Sequence, residues 1–178
     1  MARSPARNKR PPLSEGQLRD LALHYVGRFA TTRARLATYL ARKVRERGWE
    51  GDTPPDIDAI VTRMTDLQYI DDAQYGVMKG AAMARRGLGP RRIRAGLQAD
   101  GIDEVDRQGA EAQARIDAWD AAETLARRKR VGPYATALAD PAQRQKQIAM
   151  FARSGHDFAT ACRWVDAAPG EIPERDEG

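Results

Sequence analysis

The sequence predicts an all-helical fold: three tandem three-helix repeats forming an elongated solenoid that is free to curve. Three observations carry this expectation. Apolar residues recur with the helical period over most of the chain, and every proline falls between those periodic runs. Glycine stops at Gly48, Gly101 and Gly155 lie 53 and 54 residues apart. No window alternates with period two over a β-branched stretch, so strands are not expected. A repeat of about 50 residues buries little by itself, so neighbouring repeats must share their cores. Chance glycine spacing within one compact helical domain is the competing reading.

The elements follow in order. Residues 1–13 hold four basic side chains, three prolines and no acid, and are expected to form a disordered basic arm. Ser14 with Gln17 has the spacing of a capping box, and Leu18, Leu21, Ala22, Tyr25, Val26 and Phe29 then share one helical face. Thr32 caps a second helix facing inward through Leu36, Tyr39, Leu40 and Val44, which stops at Gly48. After a loop with Pro54 and Pro55, Asp56 starts a third helix with Ile57, Ile60, Val61, Met64 and Leu67. These make repeat 1, residues 14–70.

Repeat 2, residues 71–116, opens with Asp71 capping a helix through Tyr75, Met78 and Ala82 to about Arg86. Gly89-Pro90 opens the next, because proline fits a first helical turn. It turns Ile93 and Leu97 inward and stops at Gly101, with Ile102 as the apolar residue after the stop. Asp103 caps a long run reaching Leu125; one helix, or two broken near Asp117, both fit its pattern. Repeat 3, residues 117–168, continues through Asp140-Pro141, Ile148 and Phe151 to Gly155, then a last helix with Phe158, Ala161, Cys162 and Val165. Pro169-Gly170 begins a disordered acidic tail, 169–178.

Composition limits what such a fold does. One cysteine forms no internal disulfide and no thiolate zinc cluster, and His24 and His156 are too few and too far apart for a histidine metal centre. No metal and no cofactor is therefore expected. No apolar run approaches the roughly 20 residues of a membrane span, and no apolar leader is visible. The expectation is a cytoplasmic monomer with no membrane contact. The net charge of +5 is unevenly placed: residues 1–50 carry 12 basic and 4 acidic side chains, and residues 151–178 carry 3 and 6. A basic front suits a polyanion or an acidic protein surface, although an arginine-rich chain that merely solvates its helices looks the same.

Catalysis has few footholds. Asp71-Asp72 sits at a helix start, where carboxylates complement exposed N–H groups. Cys162 lies on an apolar stripe, and His156 follows a glycine stop. Gly87-Leu88-Gly89 is too short for a phosphate loop and follows a helix, not a strand. Gly76, Gly80 and Ala84 make a small-residue ridge suited to close helix packing. No catalytic residue is assigned, and the protein is not expected to be an enzyme.

Binding is better supported. Arg85, Arg86, Arg91, Arg92 and Arg94 fall within ten residues with no acid among them. They straddle a helix–turn–helix junction, where a loop and a helix N-terminus can both face a ligand. Arg127, Arg128, Lys129 and Arg130 form a second cluster before Gly132-Pro133. The planar arginine fork suits phosphate or carboxylate equally, so DNA, single- or double-stranded, and an acidic protein groove both remain candidates. Few aromatics accompany these clusters, which does not favour base stacking.

One stretch carries a family resemblance. Leu67-Gln68-Tyr69-Ile70-Asp71-Asp72-Ala73-Gln74-Tyr75 resembles the L-x-Y-[IL]-D-D-x-x-[FY] signature of the RecX recombination regulators. Gly87 to Leu97, with Gly89 and Pro90, followed by Gly101-Ile102, resembles that family's G-x-G-P-x-R-I stretch at the expected interval. A looser likeness covers Gln145 to Val165. The sequence departs at Ala30-Thr31-Thr32, at Gly76, and at Asp100, where a basic residue is common. The resemblance implies a three-repeat helical protein that binds the RecA filament on single-stranded DNA. It would restrain recombinase, ATPase and co-protease activity in DNA repair and the SOS response. It places the partner-binding role on Arg91, Arg92 and Arg94. A general DNA-binding helical module, with the same arginines on phosphate, is the alternative.

Overall fold

A computed structural model describes residues 11–175. Among these there are nine α-helices, one 3-10 turn at Gly132–Tyr134, and no strand. The helices are α1 (Glu15–Val26), α2 (Arg33–Arg47), α3 (Ile57–Asp66), α4 (Asp72–Ala84), α5 (Pro90–Ala99), α6 (Glu104–Ile116), α7 (Ala118–Lys129), α8 (Pro141–Arg153) and α9 (Phe158–Asp166). The long run after Asp103 is therefore two helices. Asp117, with ψ near 1°, is the last cap of α6 and the first of α7. The chain divides into two compact units after Asp72.

In the first unit, local chemistry sets each helix start. Ser14 and Gln17 complete the capping box on α1, Thr32 Oγ1 accepts from the Arg35 N–H at 3.2 Å, and Asp56 accepts from the Ala59 N–H at 2.9 Å. The core gathers Leu18 and Ala22 from α1, Leu36 and Leu40 from α2, and Ile60, Val61 and Met64 from α3. Leu13 corrects the expected extent of the N-terminal arm. It is fully buried, its N–H donates to the Gly48 carbonyl at 2.9 Å, and its own carbonyl accepts from Glu50. Leu13 precedes the Ser14 cap and shares a core with Leu18 at the fourth helical position, which is a hydrophobic staple. Arg47 also donates to the Pro11 carbonyl, so 11–13 are held; residues 1–10 of the expected arm lie outside the described residues.

Asp72 is also used differently from the expectation. Its carboxylate is buried and does not serve only the helix it begins. Oδ1 accepts from the Arg33 N–H at 3.0 Å and Oδ2 from Arg33 Nε at 3.1 Å, capping the first residue of α2. Arg33 brings no acid from its own first turn to meet α2's exposed N–H groups, and Asp72 supplies one.

The second unit contains two buried clusters. One joins Ile93 and Leu97 of α5 to Ile102 and to Ala110 and Ala114 of α6; the other joins Leu125 of α7 to Phe151, Trp164 and Val165. The small ridge of α4 packs as expected: an added Cβ at Gly80 would lie 3.5 Å from Ile93 and 3.6 Å from Ala110. The departure at Asp100 has a local compensation. Its buried carboxylate accepts from the Tyr75 hydroxyl at 2.9 Å and from Lys79, whose Nζ also donates to the Gly96 carbonyl. Cys162 is only half-buried, at 3.8 Å from Arg144, which is paired with Asp166. Part of the expected acidic tail is tied down too, since the Gly170 N–H donates to the Pro133 carbonyl and Arg175 to that of Ile116.

Candidate partner-binding site at an arginine-lined junction

The glycine stops all have positive φ, 88°, 73° and 94° at Gly48, Gly101 and Gly155. At Gly155 this serves more than a helix end. The turn between α8 and α9 is pressed against the start of α5: the Gly89 N–H donates to the Ser154 carbonyl at 2.8 Å, and the Arg91 N–H to the Gly155 carbonyl at 3.2 Å. The approach leaves no room for side chains, because a Cβ on Gly89 would sit 2.6 Å from the Gly155 carbonyl carbon. Gly87, with φ of 79°, also lies close to α7, where a Cβ would sit 2.9 Å from the Leu125 amide nitrogen. The Gly-x-Gly-Pro segment is thus an interlock between α4, α5, α7 and the 154–157 turn.

This corrects one element of the proposed site. The N-terminal N–H groups of α5 cannot face a ligand, since Ser154, Gly155 and Gly89 carbonyls already accept from them. The ligand-facing chemistry is left to side chains. Arg85, Arg86, Arg91 and Arg92 are all exposed around the interlock, and none makes an ion pair with another described residue. Arg94 differs, its Nε lying 3.6 Å from Glu111, which also holds the buried Arg107.

The second cluster is divided in the same way. Arg127 Nη2 donates to Glu123 Oε1 at 2.6 Å and to the Tyr134 hydroxyl, with its guanidinium 5.3 Å from the Tyr134 ring centre. The Tyr134 hydrogen bond, more than the Arg127 charge, holds the Glu123 carboxyl below its ordinary range. Arg128, Lys129 and Arg130 are exposed without an ion pair among the described residues. Arg85 lines a small cleft of about 220 Å³ with Asp120, Ala121 and Thr124 of α7. Arg128 lies one helical turn beyond Thr124, so the two clusters approach along that face of α7.

Two residues of this site escaped the sequence reading. Phe158 is 70% exposed at the first position of α9, beside the turn that meets Arg91 and Arg92. Its neighbour Asp157 caps α9. Burial pushes the Asp157 carboxyl up, but the Thr160 N–H and hydroxyl and the Arg91 charge together bring it below its ordinary range. The hint was the helix start itself; the link to the arginines spans more than sixty residues and has no local signal.

His156 is the other. It is 1% exposed, and its Nε2 donates to the Gly87 carbonyl at 3.0 Å, clamping the glycine loop. Burial pushes the imidazole below its ordinary pKa despite that bond and the nearby Asp157, so it is neutral in the fold. The unfolded chain takes up a proton near pH 6.5 while the folded chain resists. Stability is therefore full above about pH 6.5 and falls as pH drops below it, by at most about 1.4 kcal/mol at one pH unit lower. Urea midpoints at pH 7.5 and 5.5 check this: His156→Gln, which keeps an N–H donor, should lose part of the wild-type pH dependence.

Of the motif residues, Tyr75, Gly89, Pro90 and Gly101 are explained by packing or backbone, and Asp71 stands just before α4. Tyr69 is more than half exposed and outside the core. Among the described residues no group of three His, Cys, Asp or Glu could hold a metal ion, and no helix is long and apolar enough to cross a membrane.

Comparison with known proteins gives this geometry a family. No protein-family model matches the chain. Curated relatives do. The chain is 30% identical over 170 residues to the regulatory protein RecX of Myxococcus xanthus, covering 90% of this chain and 91% of that one. It is 33% identical over 161 residues to the Mycobacterium marinum protein of the same name, covering 88% and 87%. Two crystal structures share the fold: a RecX protein with a TM-score of 0.64 at 23% identity, over 82% of this chain and 68% of that one, and RecX from Lactobacillus salivarius with 0.62 at 20% identity, over 83% and 91%. An all-helical chain with these relatives along nearly its full length belongs to the RecX family of regulatory proteins.

Proposed function

We propose that this protein regulates RecA by docking on its filament on single-stranded DNA and slowing ATP turnover, strand exchange and co-protease activity. The observation that carries the reading is the exposed set Arg85, Arg86, Arg91 and Arg92, carried on a backbone interlock and making no ion pair among the described residues, although Arg91 lies near enough to Asp157 to lower its carboxyl. The held backbone spares an interface the cost of ordering the loop that carries these arginines. Arginine and an exposed aromatic such as Phe158 are the residue types that dominate binding energy at protein interfaces. The action is restriction of filament motion, not bond chemistry.

The same reading treats residues 14–70, 71–116 and 117–168 as three repeats. Three helices fall within each segment, and buried clusters follow the same succession. Repeated docking along a repeated partner supplies avidity that one short repeat lacks.

The test is ATP hydrolysis by RecA on single-stranded DNA with sub-stoichiometric protein. Hydrolysis should slow, and the R85A/R86A/R91A/R92A variant should need at least about tenfold more protein for the same effect. Circular dichroism of the variant should be unchanged. No change in hydrolysis or strand exchange with wild type overturns the reading. Duplex binding that weakens steeply with salt and gains nothing from RecA would instead favour a general DNA-binding module.

A further inference from the structure

Residues 15–47, α1 and α2 with their connection, carry eight basic and three acidic side chains. Across these two helices runs a ladder of aromatic rings. Tyr25 of α1 lies nearly flat on Tyr39 of α2, with ring centres 4.2 Å apart and planes 19° from parallel. Phe29 follows one turn after Tyr25, its ring centre 5.4 Å away and its plane tilted by 48°. On Tyr39, Arg42 and Lys43 each bring their charge to 5.7 Å from the ring centre.

The ladder is not wholly explained by packing. Tyr25 and Tyr39 rest against the core of the first unit, but Phe29 is 55% exposed. That ring therefore lies outside the core, with a face open to solvent beside the basic side chains. Phe29 is tilted away from the Tyr25–Tyr39 stack and leaves a ring face open to a further planar group at the edge of that aromatic cluster. The surrounding charge selects what that group is. Arg28 adjoins Phe29 in sequence, and Arg35 and Arg42 lie one turn before and after Tyr39 on the same face of α2. Glu46 is the one acid of α2; it pairs with Lys43 at 2.7 Å and Arg42 at 3.7 Å.

We infer that the Phe29–Tyr25–Tyr39 ladder with its flanking cations is a binding site for single-stranded nucleic acid, one base stacking on Phe29 while Arg28, Arg35 and Arg42 serve the phosphates. Exposed aromatic faces beside a basic track hold unpaired bases with little regard to sequence. A duplex keeps its base faces covered and offers Phe29 nothing to stack on. An acidic protein surface would satisfy the cations but not the ring. The site needs no RecA and no residue of the arginine junction.

The test uses the full chain without RecA and a fluorescein-labelled oligothymidylate at low salt. Phe29→Ala should weaken binding about tenfold or more, and Phe29→Tyr should restore most of it. The emission that Phe29→Trp adds over wild type should be quenched as the oligonucleotide binds, which a merely structural role would not produce. A duplex of equal length should bind more weakly and be insensitive to Phe29→Ala. Equal oligothymidylate affinity for wild type and Phe29→Ala, or unquenched Phe29→Trp emission in the complex, overturns the inference. Because RecA is absent, that failure leaves the filament reading untouched. Failure of the ATP hydrolysis test likewise leaves this site standing.

Discussion

Gly155→Ala is expected to destabilise the second unit by about 3 to 5 kcal/mol, enough to open the arginine junction. Two costs combine. The position holds φ of +94°, where an L side chain is strained. The added Cβ would also lie 2.3 Å from the Arg92 amide nitrogen and 2.6 Å from the Arg92 Cβ. Neither atom is the end of a flexible chain, so the α8–α9 turn must lift from α5. The hydrogen bonds from Gly89 and Arg91 to the 154–155 carbonyls are then lost together. Denaturation midpoints measure the loss, and faster amide exchange at Gly89 and Arg91 locates it. Gly16→Ala is the control of opposite sign. Nothing lies within 4 Å of its added Cβ in α1, so it should stabilise by about 0.5 to 1 kcal/mol. If both substitutions behave alike, the interlock is not the reason for the glycine.

Asp72→Ala should cost the first unit about 2 to 3 kcal/mol. It removes two charge-assisted hydrogen bonds from a carboxylate that is 2% exposed and leaves the first N–H of α2 without its acceptor. The cost stays below that of a fully buried pair because Arg33 is 38% exposed and water can serve its guanidinium. Asp72→Asn keeps an acceptor oxygen for the Arg33 N–H and should recover about half of the loss. A double-mutant cycle with Arg33→Ala, read by urea denaturation, separates the side-chain pair from the backbone cap. A loss no larger than that of the exposed Asp58→Ala would show that the pair contributes nothing.

These two residues mark the limit of what the chain reveals on inspection. The paired acids at 71–72 were readable as a helix start, and α4 does begin there. That Asp72 caps a different helix, 39 residues earlier, was not. Similarly, Gly155 was readable as a stop, but its role in seating α5 depends on Gly89 arriving opposite it. Leu13 shows the reverse case: the staple pattern was present, yet the prolines and charges around it argued for a mobile arm.

At the candidate site, the sequence supplied the arginines but not their availability. Arg94 and Arg127 belong to the same acid-free runs as Arg92 and Arg128, yet each meets a glutamate, Arg94 one on a different helix and Arg127 one a turn earlier. An aromatic pairing was hidden for the same reason: Tyr25 stacks on Tyr39 only through tertiary packing.

The division has one physical cause. Caps, proline starts, glycine stops and the apolar period act over a turn or two of backbone, so the sequence alone determined that this protein is helical and where nearly every helix begins. Asp72 on Arg33, His156 on Gly87, and Gly155 against Arg92 join residues from 39 to 69 positions apart. Only close packing of whole helices decides such meetings, and with them which charges are spent within the fold and which are left for a partner.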